Sequence, residues 1–273
     1  MLIMLKLILS LLLSIMILPS CSMYELDEEN IISNQLTRKT KIIAHRGYWK
    51  AEGACDNSIK ALVSAIDIGV DGVEFDLRMT KDDSVVVYHD GIINGSIITQ
   101  TYYKDLLSET LPNGEKIPTL RDYLRIAKSI PSVELFIEIK VDRAVEPTIK
   151  ILKEEGVNNP IMFISFSEKA CEQIIAIDSS LRVSPLQPLS QDVTSSKIKD
   201  LGYTGIAYTT SYYHNNTEVI DKALYNGMTL TTWVANTIKE YDWFYRHGFN
   251  YVISDDPLRL INQTKRSESY WYY

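Results

Sequence analysis

From Lys41 onward the chain alternates between two hydrophobic periods. Short unbroken apolar runs recur, and stretches with helical spacing separate them. KIIAH at 41–45 is the first run. In NSIKALVSAIDIG, Ile59, Leu62, Val63 and Ile66 fall at i, i+3, i+4 and i+7, which marks one face of a helix. Asn57 is expected to cap that helix and Gly69 to stop it. GVEFDLRM at 72–79 reads as the second strand. The turn-rich TKDD separates it from SVVVYHD at 84–90, which reads as the returning arm of a hairpin. PTLRDYLRIAKSI, opened by Pro118-Thr119, is a predicted helix, VELFIEIK a strand, and VEPTIKILKEEG a helix closed by Gly156. IMFISF, RVSPL, GIAY, MTLTTWV and YVIS continue the strand series, with helical segments near 168–178, 192–201, 216–226 and 237–247 between them.

With the hairpin arm set aside as an excursion, this makes eight strand–helix units. Such alternation implies a parallel sheet. Eight units in about 230 residues suit a closed (β/α)8 barrel, which typically needs about 250. The expected fold class is therefore α/β, a (β/α)8 barrel with a short insertion after the second strand. An open doubly wound sheet is the alternative. No G-x-G-x-x-G follows the first strand, which disfavours its dinucleotide-binding version.

The pattern before Lys41 is of another kind. MLIMLKLILSLLLSIMILPSC carries one positive charge at Lys6 and then an apolar run from Leu7 to Leu18. That run is shorter than the roughly 20 residues that span a bilayer, and it fits a secretory signal peptide. Leu18-Pro19-Ser20-Cys21 resembles a bacterial lipobox, in which the cysteine is lipid-modified and becomes the mature N-terminus. The expected organisation is a lipoprotein-type signal peptide at 1–20, lipidation at Cys21, a polar tether over 21–40, the barrel over 41–262 and a tail at 263–273. It implies an exported protein, lipid-anchored in the bacterial cell envelope. An uncleaved anchor or a non-lipidated secreted protein is the alternative. Past Cys21 only Cys55 and Cys171 remain, and the simpler expectation for them is two thiols rather than a disulfide. A formal net charge of −7 argues against nucleic acid as a partner.

In a (β/α)8 barrel, functional groups gather at the C-terminal ends of the strands. Here those ends carry His45-Arg46, Glu74 and Asp76, Glu138 and Lys140, Ser165-Phe166, Trp233 and Ser254-Asp255, while the hairpin arm ends in His89-Asp90. Side chains two apart on a strand share a face, so Glu74 pairs with Asp76 and Glu138 with Lys140. Carboxylates that converge without a cation repel, and at least one tends to protonate. A hard divalent cation, Ca2+ or Mg2+, relieves that and prefers such all-oxygen ligands. Scattered, solvated charges are the competing reading of any one pair, but two such pairs plus His45 and His89 argue for a site. Those histidines suit a general acid and a general base. Arg46 offers a planar fork of donors and Lys140 a compact charge for an anionic substrate. The combination describes phosphoryl-ester chemistry. His214 and His247 receive no role.

At this point the motifs are familiar as a set. HRG, DNSIKALVSAIDIGVDGVEFDLRMTKDDSVVVYHD, EIK, SF, TTWVAN and YVISDDP resemble the glycerophosphodiester phosphodiesterase family from about Lys41 to Leu258. The resemblance implies a TIM barrel that uses a divalent cation to hydrolyse glycerophosphodiesters to glycerol 3-phosphate and an alcohol. It implies that His45 and His89 are the catalytic pair and that Arg46 and Lys140 bind phosphate. Glu74, Asp76 and Glu138 would be the metal carboxylates, and Trp233 would line the site. Where the family has Pro-Glu-Asn after the first strand, this chain has Cys55-Asp56-Asn57. After His89-Asp90 the segment GIINGSIITQTYYKDL departs from the family pattern and leaves the alcohol half of the substrate open. A phospholipid- or phosphoinositide-directed phosphodiesterase on the same barrel is one alternative, with Tyr102, Tyr103 and Tyr212 as candidates for an apolar rim. A non-catalytic surface binding lipoprotein is the other.

Overall fold

The computed structural model describes residues 39–189 and 195–270. The expected signal peptide, Cys21 and nearly all of the tether lie outside the described residues, as do the start of the segment predicted near 192–201 and the last three aromatics.

The strands form where the apolar runs stand. They are β1 (Lys41–Ala44), β2 (Gly72–Met79), β3 (Val85–Val87), β4 (Ile92–Ile93), β5 (Ser96–Ile97), β6 (Glu134–Ile139), β7 (Ile161–Ser165), β8 (Arg182–Pro185), β9 (Gly205–Thr209), β10 (Thr229–Trp233) and β11 (Tyr251–Ser254). The main sheet runs β8-β7-β6-β2-β1-β11-β10-β9, with β3 antiparallel on β2. Its other ladders are parallel, as strand–helix alternation requires. The seam between β8 and β9 is bridged by Thr204, whose N–H donates to Val183 O at 2.9 Å and whose hydroxyl accepts from Val183 N at 2.9 Å. Gly205 lets the strands close there, because a Cβ would lie 2.6 Å from both Ser184 Oγ and Thr229 O.

Strand periodicity separates an inside from an outside. Ile43, Phe136, Met162, Ala207 and Ile253 pack together within the ring. Their neighbours in sequence, among them Ile42, Leu135, Ile137, Phe163 and Val252, join the larger core with helix residues such as Leu62, Tyr123, Leu124 and Phe244.

The bottom of the barrel is closed by charge. Glu134, at the start of β6, is 2% exposed. Its carboxylate is paired with Lys41, accepts from Tyr251 Oη at 2.8 Å and meets Arg182 at 3.3 Å. Burial alone would push its pKa up, but the hydrogen bonds from Lys41 and Tyr251 outweigh that and hold it below the ordinary value. Removing one partner of such a set leaves others uncompensated. Glu134→Ala is therefore expected to destabilise the fold by about 3 kcal/mol, read from denaturant unfolding. A midpoint unchanged from the parent would show that the cluster contributes nothing to stability.

The predicted insertion is present and has a core of its own. Residues 80–119 hold β3, the β4–β5 hairpin and short helical turns. Val86, Ile93, Ile98, Leu106, Leu111 and Ile117 pack together beneath them. Glu115 ties this unit to the first barrel helix (Ile59–Asp67) by accepting from Ile59 N at 2.8 Å and Lys60 N at 3.1 Å. The cap of that helix differs from the expectation. Ser58, not Asn57, accepts from Ala61 N at its start, and Gly69 follows its end with φ +77°. Asn57 is turned inward because its side chain serves a carboxylate in the barrel mouth. Thr119 and Asp122 form the capping box that opens the next barrel helix, Leu120–Ala127. The last helix, Pro257–Tyr270, crosses the boundary drawn at residue 262. No helix among the described residues is long and apolar enough to cross a membrane. Cys55 and Cys171 are free thiols, and burial pushes Cys171 up to about 12.

Candidate active site

The top of the barrel is where the inward faces turn polar. On β2, Glu74 and Asp76 follow each other inward, and both are 1% exposed. Asp76 is the register partner of Glu138 on β6. The sheet thus delivers all three carboxylates to one place, with a ligand oxygen from each within 4.8 Å of the others. Burial and the charges of Asp76 and Glu138 push the pKa of Glu74 well above the usual carboxylate range. Burial and Asp76 raise Glu138 to about 7. Asp76 goes the other way. Burial opposes its ionisation, but Lys140, Asn57 and Arg46 more than offset it, so its pKa is lowered.

The protein's own cations surround this cluster. Lys140 Nζ lies 3.1 Å from Asp76 Oδ1 and 2.7 Å from Glu138 Oε1. Arg46 Nε lies 3.4 Å from Asp76 Oδ2, and its Nη1 3.3 Å from Asp56 Oδ2. Asn57 Nδ2 donates to Asp76 Oδ2 at 2.7 Å, and its Oδ1 accepts from Asp76 N at 3.2 Å. Arg46 and Asn57 both have positive φ, at 54° and 59°. Such backbone strain clusters at functional sites. It is held here by Glu74 Oε2, which accepts from Arg46 N at 2.8 Å, and by Asn57 N donating to Arg46 O at 3.0 Å. Gly47 completes the sharp turn, since a Cβ there would strike Ala61 at 2.7 Å.

One atom tests whether a cation fits. Glu74 Oε1 is buried and has no hydrogen-bond partner. A buried polar atom left so calls for a ligand. Together with two further carboxylates, it forms an all-oxygen set suited to a hard divalent ion.

The two histidines follow different strands. His45 follows β1, and its Nδ1 lies 2.7 Å from Asp255 Oδ1. Its Nε2 is 3.9 Å from Glu74 Oε2. Asp255 has a depressed pKa: burial works against ionisation, but hydrogen bonds with His45, Asn236 and Trp49 and the His45 charge prevail. His89 follows β3, with Nδ1 2.7 Å from Asp90 Oδ1 and its carbonyl accepting from Arg78 Nε at 2.8 Å. Burial lowers the His89 pKa, and Lys140 and Arg46 add to that against the pull of Asp76 and Asp90. Each ring is held through Nδ1 by a carboxylate.

His45, Arg46, Glu74, His89, Glu138 and Lys140 line a single pocket. Its apolar lining comes from Ile164, Phe166, Leu186, Trp233, Val234 and Ile253. Phe166 meets Trp233 edge-on at 5.5 Å, and the indole N–H donates to Ala207 O at 2.9 Å. Every predicted site residue among the described ones is therefore gathered here, Asp76 lying just beneath Lys140. Tyr102, Tyr103 and Tyr212 are not among the lining residues. The apolar wall comes instead from the ends of the later barrel strands. His214 and His247 pack against Trp243, away from the pocket. Sequence reasoning gave no role to Asp255, Asn236 or Arg78. Asp255 carried a signal as a strand-end charge, and Asn236 and Arg78 lie within the TTWVAN and GVEFDLRM motifs without a role assigned to them.

The shared pattern of the glycerophosphoryl diester phosphodiesterase family matches residues 45–259. The chain is 24% identical over 247 residues to a glycerophosphodiester phosphodiesterase of Caldanaerobacter subterraneus subsp. tengcongensis, covering 84% of this chain and 99% of that protein. The crystal structure of a glycerophosphodiester phosphodiesterase from Parabacteroides distasonis is similar with a TM-score of 0.78 at 32% identity, over 85% of this chain and 99% of that one. A phosphodiesterase of Oleispira antarctica, solved in complex with the product sn-glycerol-3-phosphate, shares the fold with a TM-score of 0.73 at 19% identity, over 82% of this chain and 96% of that one. The matched span begins at His45 and contains every carboxylate, cation and histidine of the pocket, and the chain belongs to the glycerophosphoryl diester phosphodiesterase family, a family of phosphoric diester hydrolases.

Proposed function

We propose that this protein hydrolyses glycerophosphodiesters to glycerol 3-phosphate and an alcohol, with His45 and His89 moving the protons and Glu74, Asp76 and Glu138 holding a divalent cation, Ca2+ or Mg2+. The observation that carries this reading is the convergence of both anchored histidines, Arg46, Lys140 and the orphaned Glu74 oxygen on one pocket. When bound, the cation would supply Lewis-acid neutralisation of charge on the phosphate oxygens.

The chain's own groups account for the rest. Arg46 and Lys140 bind the phosphate and stabilise charge that develops on it. The neutral histidine takes the proton of the glycerol 2-hydroxyl through Nε2. That oxygen attacks phosphorus, and the bond from phosphorus to the alcohol oxygen breaks. The protonated histidine gives its proton to the departing oxygen. A cyclic phosphate remains, and the two histidines have exchanged protonation states. The second histidine then takes a proton from water, whose oxygen attacks phosphorus. The ring bond to the 2-oxygen breaks, and the first histidine reprotonates that oxygen. Trp233 and Phe166 form an apolar face beside these groups.

A substrate panel tests the class. Glycerophosphocholine and glycerophosphoinositol are expected to release glycerol 3-phosphate faster than their acylated forms. Faster turnover of the acylated forms would favour the phospholipid-directed reading. A non-catalytic binding role would be favoured by gaps in the catalytic set; both histidines, Arg46, Lys140, Glu74 and Glu138 line the pocket, and Asp76 lies 3.1 Å from Lys140 Nζ.

The N-terminal pattern supports an exported protein anchored through a lipid on Cys21. Cys21→Ala is expected to move the protein out of the membrane fraction. Unchanged membrane association in that variant would contradict the anchor.

A further inference from the structure

The two histidines are not held alike. The carboxylate that meets His89, Asp90, is largely exposed, with 69% of its side chain in solvent. The one that meets His45 is built into the barrel. Asp255 follows β11 directly, and β11 pairs with β1 so that Ala44 stands opposite Ser254. His45 N then donates to Ser254 O at 2.9 Å. The register therefore places Asp255 and His45 side by side at the ends of adjacent strands.

Both oxygens of Asp255 are fixed. Oδ1 meets His45 Nδ1 at 2.7 Å and accepts from Trp49 Nε1 at 3.3 Å. Oδ2 accepts from Asn236 Nδ2 at 3.1 Å. Asn236 is locked in turn, because its Oδ1 accepts from Asp255 N at 2.8 Å and from Ser254 Oγ at 3.0 Å. Its own N–H donates to Glu240 Oε2 at 3.1 Å, at the start of the helix Ile238–Arg246. A carboxylate can only accept, so His45 Nδ1 must carry the hydrogen of that bond. Nε2 is then the nitrogen left to exchange a proton in the pocket.

We propose that Asp255, oriented by Asn236 and Trp49, is a positioning residue that fixes the tautomer and angle of His45 so that Nε2 faces the substrate. The proposal rests on the reading that His45 exchanges protons with substrate. Asp255 acts only through His45, which separates it from a merely structural residue.

The test uses the full chain, with glycerophosphocholine as substrate and saturating Mg2+ or Ca2+. Asp255→Ala is expected to lower kcat by at least about 10-fold, by analogy with the roughly 10- to 100-fold cost of losing the orienting partner of a metal-ligating histidine. KM should change less than about threefold, because ground-state binding is not what is removed. Asparagine can offer its NH2 group to Nδ1 and hold the opposite tautomer, so Asp255→Asn should fall at least as far. In a His45→Ala background, Asp255→Ala should lower the residual rate by less than about twofold, because effects that run through one group are not additive. Nitrogen NMR of His45 should show Nδ1–H in the parent and a mixture of tautomers in Asp255→Ala. Should Asp255→Ala fail to fold, Asn236→Ala frees only one oxygen of Asp255 and is expected to lower kcat in the same direction. An unchanged kcat in the folded variant, or an equal fractional loss with and without His45, overturns the proposal. Full activity of His45→Ala itself would instead overturn the functional reading on which it rests.

Discussion

Replacing His45 or His89 by alanine is expected to lower kcat by about 10²- to 10⁴-fold, the usual contribution of a positioned acid or base. The reason is geometric. Both rings line the same pocket, and both are anchored through Nδ1 at 2.7 Å to a carboxylate. Neither ring belongs to the packed core, so the fold should survive, and a circular dichroism spectrum like the parent's would confirm it. The double variant should lose little more than the worse single one, because the two act in one proton exchange. A purified His45→Ala or His89→Ala protein with parental kcat would remove the acid–base assignment.

Loss of the cation is expected to be of similar size. Lewis-acid neutralisation of a phosphate is worth several kcal/mol, which corresponds to about 10²-fold or more in rate. Chelator should therefore abolish most activity, and Glu138→Gln should demand far more cation for the same rate. The pH dependence has a definite sign. With Glu138 raised to about 7 in the metal-free protein, it must lose its proton to ligate. Cation affinity should therefore weaken as pH falls through 7, by up to about tenfold per unit if one proton is displaced. The same shift acts on folding. The folded chain holds the Glu138 proton above the ordinary value of 4.5, so the stabilisation it contributes is fully present below 4.5 and is lost as pH rises through about 7. Added cation should remove that loss at pH 8. Calorimetric titration at pH 6 and pH 8 would check both, and equal affinity at the two pH values would count against Glu138 as a ligand.

Much of this was legible in the chain because the physics behind it is local. Apolar runs of strand length and helices at i, i+3, i+4 spacing place the barrel, and the i, i+2 pairs Glu74–Asp76 and Glu138–Lys140 place its acidic cluster. The inward direction of those pairs follows from period 2 alone. What was not legible depends on register between distant strands. His45 and Asp255 are neighbours only because β1 pairs with β11 with Ala44 opposite Ser254, and a sequence pattern does not specify that. Asn57 departs from the expected cap for a related reason. An asparagine before an amphipathic run has the composition of a cap, but Ser58 takes that place and the Asn57 side chain reaches Asp76 at 2.7 Å. Trp233 was legible as a strand-end residue lining the site, but its edge-on meeting with Phe166 at 5.5 Å depends on strands far apart in sequence.

One assay addresses substrate, cation and site together. Purified protein is incubated with glycerophosphocholine, and glycerol 3-phosphate is measured before chelation, after chelation and after Ca2+ or Mg2+ is restored. The expected result is release, loss of release and recovery, with the last absent in Asp76→Asn. Undiminished release in chelator, or no release with either ion, would contradict the account.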